Sequence, residues 1–134
     1  MRRGALTAVV LVALWGAAVA LAVDKDYDGH VTGAKNDKLS FTVVHKSGKD
    51  TKVKNVEIHR IGVDCDGGHQ RITPTSGGDA DIDSSGKFDF DEANVHLTGE
   101  VDGSQASGHL RVKGSFSGSS QNCDSGRVAW TAQH

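Results

Sequence analysis

The stretch DIDSSGKFDFDE, from Asp81 to Glu92, carries acids at its first, third, ninth and twelfth places, with Ser85 fifth and Gly86 sixth. That is the ligand spacing of an EF-hand loop, in which carboxylate oxygens surround calcium and a glycine makes the sharp turn. The chemistry also requires two helices to hold the loop. Before Asp81 the chain reads ITPTSGGDA, where Pro and paired Gly disfavour an entering helix, and after Glu92 it reads ANVHLTGEVDG, which alternates like a strand. The one candidate partner loop, DKDYDGHVTGAK from Asp24, ends in Lys35 where the bidentate acid belongs.

A hairpin explains the same letters. Ser84-Ser85-Gly86 reads as a three-residue loop with Gly86 in the left-handed position, which sets Ile82 against Phe88 on the core side. In that register Asp81 lies opposite Asp89 and Asp79 opposite Asp91, and like charges directly across a strand pair are unfavourable. A weakly held calcium on the acidic hairpin 79–92, with Asp81, Asp83, Asp89 and Asp91 as ligands, would relieve that repulsion. Calcium is therefore the one candidate cofactor.

Other chemistry is poorly marked. Seven histidines appear without an HExxH, an H-x-H or a Cys-His spacing, so no zinc site is read. His96 and His109 face one another if the turn at Asp102-Gly103 is a two-residue loop; a register two residues different sets His96 against Arg111. GSFSG, at Gly114 to Gly118, has Phe116 where a nucleophile elbow needs Ser. Glu57 and Glu100 would suit a glycosidase only if folding brought them within reach. No phosphate loop or dinucleotide fingerprint occurs. No catalytic residue is assigned, and the expectation is a non-catalytic protein.

The elements that must position these residues are strands. Leu39, Phe41 and Val43 alternate with Ser40 and Thr42, and Val56 and Ile58 alternate with Asn55 and Glu57. The phase slips at His59-Arg60, as at a β-bulge, and Ile61, Val63 and Cys65 continue the apolar set. Phe88, Phe90, Val95, Leu97, Val101, Leu110, Val112, Val128 and Trp130 extend the pattern, with Trp130 expected in the core. Turn signals such as Asp28-Gly29, Asp66-Gly67-Gly68 and Asp124-Ser125-Gly126 separate the runs. The expected fold is all-β: a single antiparallel, largely up-and-down sandwich or barrel of about eight strands.

The first residues read as an address. Met1-Arg2-Arg3 precedes an uncharged run from Gly4 to Val23, closed by two small-x-small sites, so residues 1–22 form a signal peptide cleaved after Ala20 or Ala22. An uncleaved anchoring helix is the alternative. Residues 23–134 form one exported domain, secreted or extracytoplasmic, a monomer and free of the membrane after cleavage. The chain carries 15 Lys and Arg against 17 Asp and Glu, and loses Arg2 and Arg3 with the leader, which argues against a nucleic-acid surface. In an oxidising compartment the two cysteines, Cys65 and Cys123, form one disulfide.

Several stretches carry a resemblance: YDGHVTG, KLSFTV, VDCDGG, SSGKFDF, LTGEVDGSQASGHLRV and, most distinctively, CDSGRVAWTA at Cys123 to Ala132. Together they resemble a group of small exported bacterial β-domains that end in C-x-S-G-x-V-x-W-x-A. The resemblance implies a signal peptide, one disulfide and an antiparallel β fold, and it brings no activity with it. The expected role is a binding or structural module at or outside the cell surface, acting on a protein or cell-surface component. The alternatives are a small-ligand-binding β-barrel and the calcium hairpin.

Overall fold

The computed structural model describes residues 22–74, 77–116 and 121–134. Residues 1–21, which hold all but the last residue of the expected signal peptide 1–22 and its cleavage site after Ala20, lie outside the described residues. All regular structure among the described residues is strand: β1 (Val23–Val31), β2 (Ala34–Lys46), β3 (Lys49–His59), β4 (Ile61–Cys65), β5 (Gly68–Ile72), β6 (Asp79–Asp81), β7 (Lys87–Glu92), β8 (Val95–Asp102), β9 (Gln105–Ser115), β10 (Asn122–Asp124) and β11 (Val128–Gln133). Among the described residues no helix is long and apolar enough to cross a membrane.

Eleven strands rather than eight are present, because β5, β6 and β10 are too short to show two-residue alternation. All pairings are antiparallel. The meanders β1-β2-β3 and β7-β8-β9 follow the expected up-and-down order, but β11 inserts between β9 and β1, and β10 joins β9 to the side hairpin β4-β5. The sheet curls without closing into a barrel. Its two ends, β6 and β7, meet only in the bridge Ile82↔Phe88.

Alternation decides what lies inside. Tyr27, Phe41, Phe88, Phe90 and Trp130 are buried, together with the Val, Ile and Leu positions of β2, β3, β4, β8 and β9. Phe41 sits at the centre, its ring centroid 5.2 Å from Tyr27, 5.6 Å from Trp130 and 5.8 Å from Phe88. These side chains occupy the interior that a ligand-binding barrel would keep open.

The expected bulge at His59-Arg60 is a corner instead. Arg60 takes a left-handed conformation (φ 57°), and the chain leaves β2 for a new partner, β10. A bulge within β3 lies at Asn55 (φ 53°), where Asn55 and Val56 together oppose Phe41. A second irregularity at the start of β2 displaces residues 35–37 from the register with β1. It turns Asp37 inward, where its carboxylate accepts the Gly62 N–H at 3.2 Å and pairs with Arg71. Arg71 also donates to the Arg60 carbonyl at 3.0 Å, which fixes the corner.

Cys65 and Cys123 are direct partners across β4 and β10 and are joined by a disulfide, with Cα atoms 4.0 Å apart. The bridge closes a separation of 58 residues and ties the side hairpin to the main sheet.

Candidate functional site

The hairpin reading of the EF-hand-like stretch is the one the fold adopts at its turn. Asp83 N–H donates to the Lys87 carbonyl at 2.9 Å, Gly86 N–H donates to the Asp83 carbonyl at 3.0 Å, and Gly86 is left-handed (φ 85°). Ile82 and Phe88 pair as that reading expects, in the register that sets Asp81 toward Asp89, but among the described residues β6 and β7 form no ladder beyond that bridge. Residues 79–81 pair with β3, setting Asp81 opposite Lys52 and Asp79 opposite Lys54, and Asp79 lies 3.3 Å from Lys52 Nζ. Asp89 and Asp91 pair with β8, where Asp89 Oδ1 lies 2.8 Å from His96 Nε2.

Asp83 is engaged by its own turn, accepting from the Ser85 hydroxyl at 2.7 Å, the Ser85 N–H at 2.9 Å and the Lys87 N–H at 3.0 Å. Those bonds, the Ser85 hydroxyl foremost, hold its carboxyl below the usual carboxylate range. Of the four carboxylates expected as calcium ligands, Asp83 is thus taken up by its own turn and Asp89 by His96. Among the described residues, no group of three or more His, Cys, Asp or Glu is placed to hold a metal ion.

Two further sequence candidates fall apart. The turn between β8 and β9 is Gly103-Ser104, one residue later than expected, so His96 opposes Arg111 and His109 opposes Thr98. Glu57 and Glu100 lie on β3 and β8, with β9, β11, β1 and β2 between them. Several inter-strand spacings of ~4.8 Å therefore separate them, beyond the roughly 5–9.5 Å that glycosidases require.

What the fold does assemble is on the outer face of β1, β2 and β3. The register sets Asp28 beside Ser40 and Ser40 beside Glu57, one row across three strands. The adjacent row is His30, Lys38 and His59. All six line one open depression of about 480 Å³. Inter-strand spacing of ~4.8 Å and a two-residue rise of ~6.8 Å make the array about 10 Å wide and 7 Å tall.

Chemically it is a row of carboxylate, hydroxyl and carboxylate over a row of imidazole, ammonium and imidazole. Five of the six residues are exposed and Ser40 is half-buried. None of their side chains makes a hydrogen bond or ion pair with another described residue. Elsewhere on the same sheet some charges are paired, Lys54 with Asp24 at 3.1 Å and Arg111 with Asp124 at 2.7 Å, and the Thr42 hydroxyl donates to Asp26 at 2.8 Å. A second depression, of about 660 Å³, shares Asp28 and His30 and continues toward Glu100 and Asp102.

Sequence reading missed this array because its members come from three strands and neither row is contiguous. The alternation marks Ser40 and Glu57 as outward-facing, but nothing local aligns them with Asp28. Alignment depends on three irregularities, at 35–37, at Asn55 and at Thr51.

No protein-family model matches the chain, and neither a curated protein nor a solved structure matches it.

Proposed function

We propose that this is an exported, non-catalytic binding domain that engages a component of the cell surface through the outer face of β1, β2 and β3. The observation that carries this reading is the array Asp28, Ser40, Glu57, His30, Lys38 and His59, six polar side chains that share one depression and make no hydrogen bond or ion pair with another described residue. The packed aromatic interior speaks for a surface site over an internal one. Export is supported by the leader and by the disulfide, which belongs to an oxidising compartment. The likeness of CDSGRVAWTA to the ending of small exported bacterial β-domains supports it too. Calcium has no part in this reading.

The test is binding of the fluorescently labelled mature protein to the exporting cells. Lys38→Gln with Glu57→Gln is expected to lower binding at least tenfold, while Arg111→Gln, on another part of the sheet, leaves it unchanged. Equal binding by all three proteins would sink the assignment of this face.

A further inference from the structure

We infer that the β1-β2-β3 array is a site for a zwitterion, a small group that carries an anion and an ammonium in one molecule, as in phosphoethanolamine. The inference rests on the proposed binding role and specifies its ligand chemistry.

The argument is charge complementarity over a known spacing. His30, Lys38 and His59 are direct cross-strand partners in one row. Placing donors and positive charge side by side is unfavourable in the empty protein and is relieved by a bound anion. Phosphate, with three acceptor oxygens, can take hydrogen bonds from all three side chains. One two-residue rise along the strands, ~6.8 Å away, stands the row Asp28, Ser40 and Glu57. Two carboxylates flanking a hydroxyl accept hydrogen bonds from an ammonium and neutralise it.

The two rows could in principle satisfy each other, since Lys38 stands diagonally between Asp28 and Glu57. No ion pair forms among them, and none of the six side chains is tied to another described residue. Both halves of the site are therefore free for one ligand. A plain anion would leave the carboxylate row facing it, and a plain cation would leave the histidine-lysine row facing it. Only a molecule with both charges meets both rows favourably. No aromatic side chain lines the depression, so recognition rests on these polar contacts.

The experiment is titration of the oxidised mature protein at low ionic strength with three probes: O-phosphoethanolamine, inorganic phosphate and ethanolamine. Chemical-shift changes at the β1–β3 amides report binding. O-phosphoethanolamine is expected to bind at least tenfold more tightly than either half-molecule. Lys38→Gln should remove most of its advantage over ethanolamine, and Asp28→Asn with Glu57→Gln most of its advantage over phosphate. Phosphate binding as tightly as phosphoethanolamine would overturn the proposal, as would failure of either variant to weaken the zwitterion.

If phosphoethanolamine binds, vesicles containing phosphatidylethanolamine distinguish a lipid headgroup from a free solute as its source. Absence of zwitterion binding in a protein whose cell-surface binding still needs Lys38 would reject the ligand class and leave the binding face standing. Loss of neither on substitution would reject both.

Discussion

Gly99 and Gly108 stand directly opposite each other across β8 and β9, and the Trp130 indole packs against the space a side chain at Gly99 would fill. A Cβ at Gly99 would lie 2.6 Å from Trp130 Cζ2, and one at Gly108 would lie 2.6 Å from the Gly99 Cα. Gly99 is a packing requirement of the largest core side chain, and Gly108 is required by the close approach of the β8 backbone at Thr98 and Gly99. Overpacking of this kind costs about 1–3 kcal/mol. Gly99→Ala and Gly108→Ala are each expected to lower the urea midpoint by an amount in that range, with less than additive loss in the double variant. Unchanged unfolding curves followed by tryptophan fluorescence would contradict this.

Tyr27, the chain's single tyrosine, donates from its buried hydroxyl to the Gly103 carbonyl at 2.6 Å and so ties β1 to the β8–β9 turn. Burial, and then the nearby Asp50 carboxylate, push the phenol above its ordinary value of 10.0. A group raised on folding contributes stability that is full below the unfolded value and is lost as pH rises through the folded one. Phenolate absorbance of the native protein should therefore develop only above pH ~10, and stability should fall over the same window. Tyr27→Phe should abolish that fall and cost about 1 kcal/mol at neutral pH through the lost hydrogen bond. An absorbance titration at the ordinary position would refute the assignment.

The core was legible from sequence where burial follows a local period. Phe41, Phe88 and Trp130 all face inward as their alternation requires, and Ser84-Ser85-Gly86 turns as its residue types dictate, because such turns are decided by a few backbone angles. Partners were less legible. The pairing of β6 with β3 involves Lys52 and Lys54, more than 20 residues away in sequence, so the lysines beside Asp79 and Asp81 could not be read from the hairpin alone. The β8–β9 turn shifts by one residue, and that alone moves His96 from His109 to Arg111. The binding array was invisible for the same reason. Its rows exist only after the irregularities at 35–37, Asn55 and Thr51 have set two registers.

The disulfide holds β4 to β10, and its loop of some 58 residues should stabilise the fold by about 4 kcal/mol in chain-entropy terms. Cys65→Ser with Cys123→Ser is expected to lose an amount of that order in chemical unfolding. The side hairpin β4-β5 should loosen first, because beyond β10 its main anchor is the pair of Arg71 with Asp37. Amide exchange measured on the variant would show this as faster exchange in residues 61–72 than in β1 or β2. Uniform loss of protection would show that the bridge stabilises the whole sheet instead.

Asp124, next to Cys123 in β10, supplies a probe of acid stability. The hydrogen bonds from Arg111, then that from the Gly126 N–H at 2.8 Å, hold its carboxyl down to about 2, from an ordinary 3.8. Its contribution is therefore present above the ordinary value and is lost as pH falls toward 2. The side chain is 35% exposed, so solvent screening keeps the contribution below about 1 kcal/mol. Asp124→Asn should flatten the stability profile between pH ~4 and ~2 by that small amount. A steeper acid limb in the variant would mean that Asp124 is not one of the groups protected by folding.

Calcium gives the last prediction. A ligand that binds only the folded state raises the unfolding midpoint in proportion to ln(1 + [L]/Kd). Asp83 already accepts from Ser85 and Lys87, and Asp89 is joined to His96, so a cation taking either carboxylate would have to compete with existing bonds. Millimolar calcium and excess EDTA are expected to give the same thermal midpoint. A rise with calcium that disappears in Asp81→Asn with Asp89→Asn would mean that the β6–β7 seam, joined only through Ile82 and Phe88, rearranges to bring those carboxylates together.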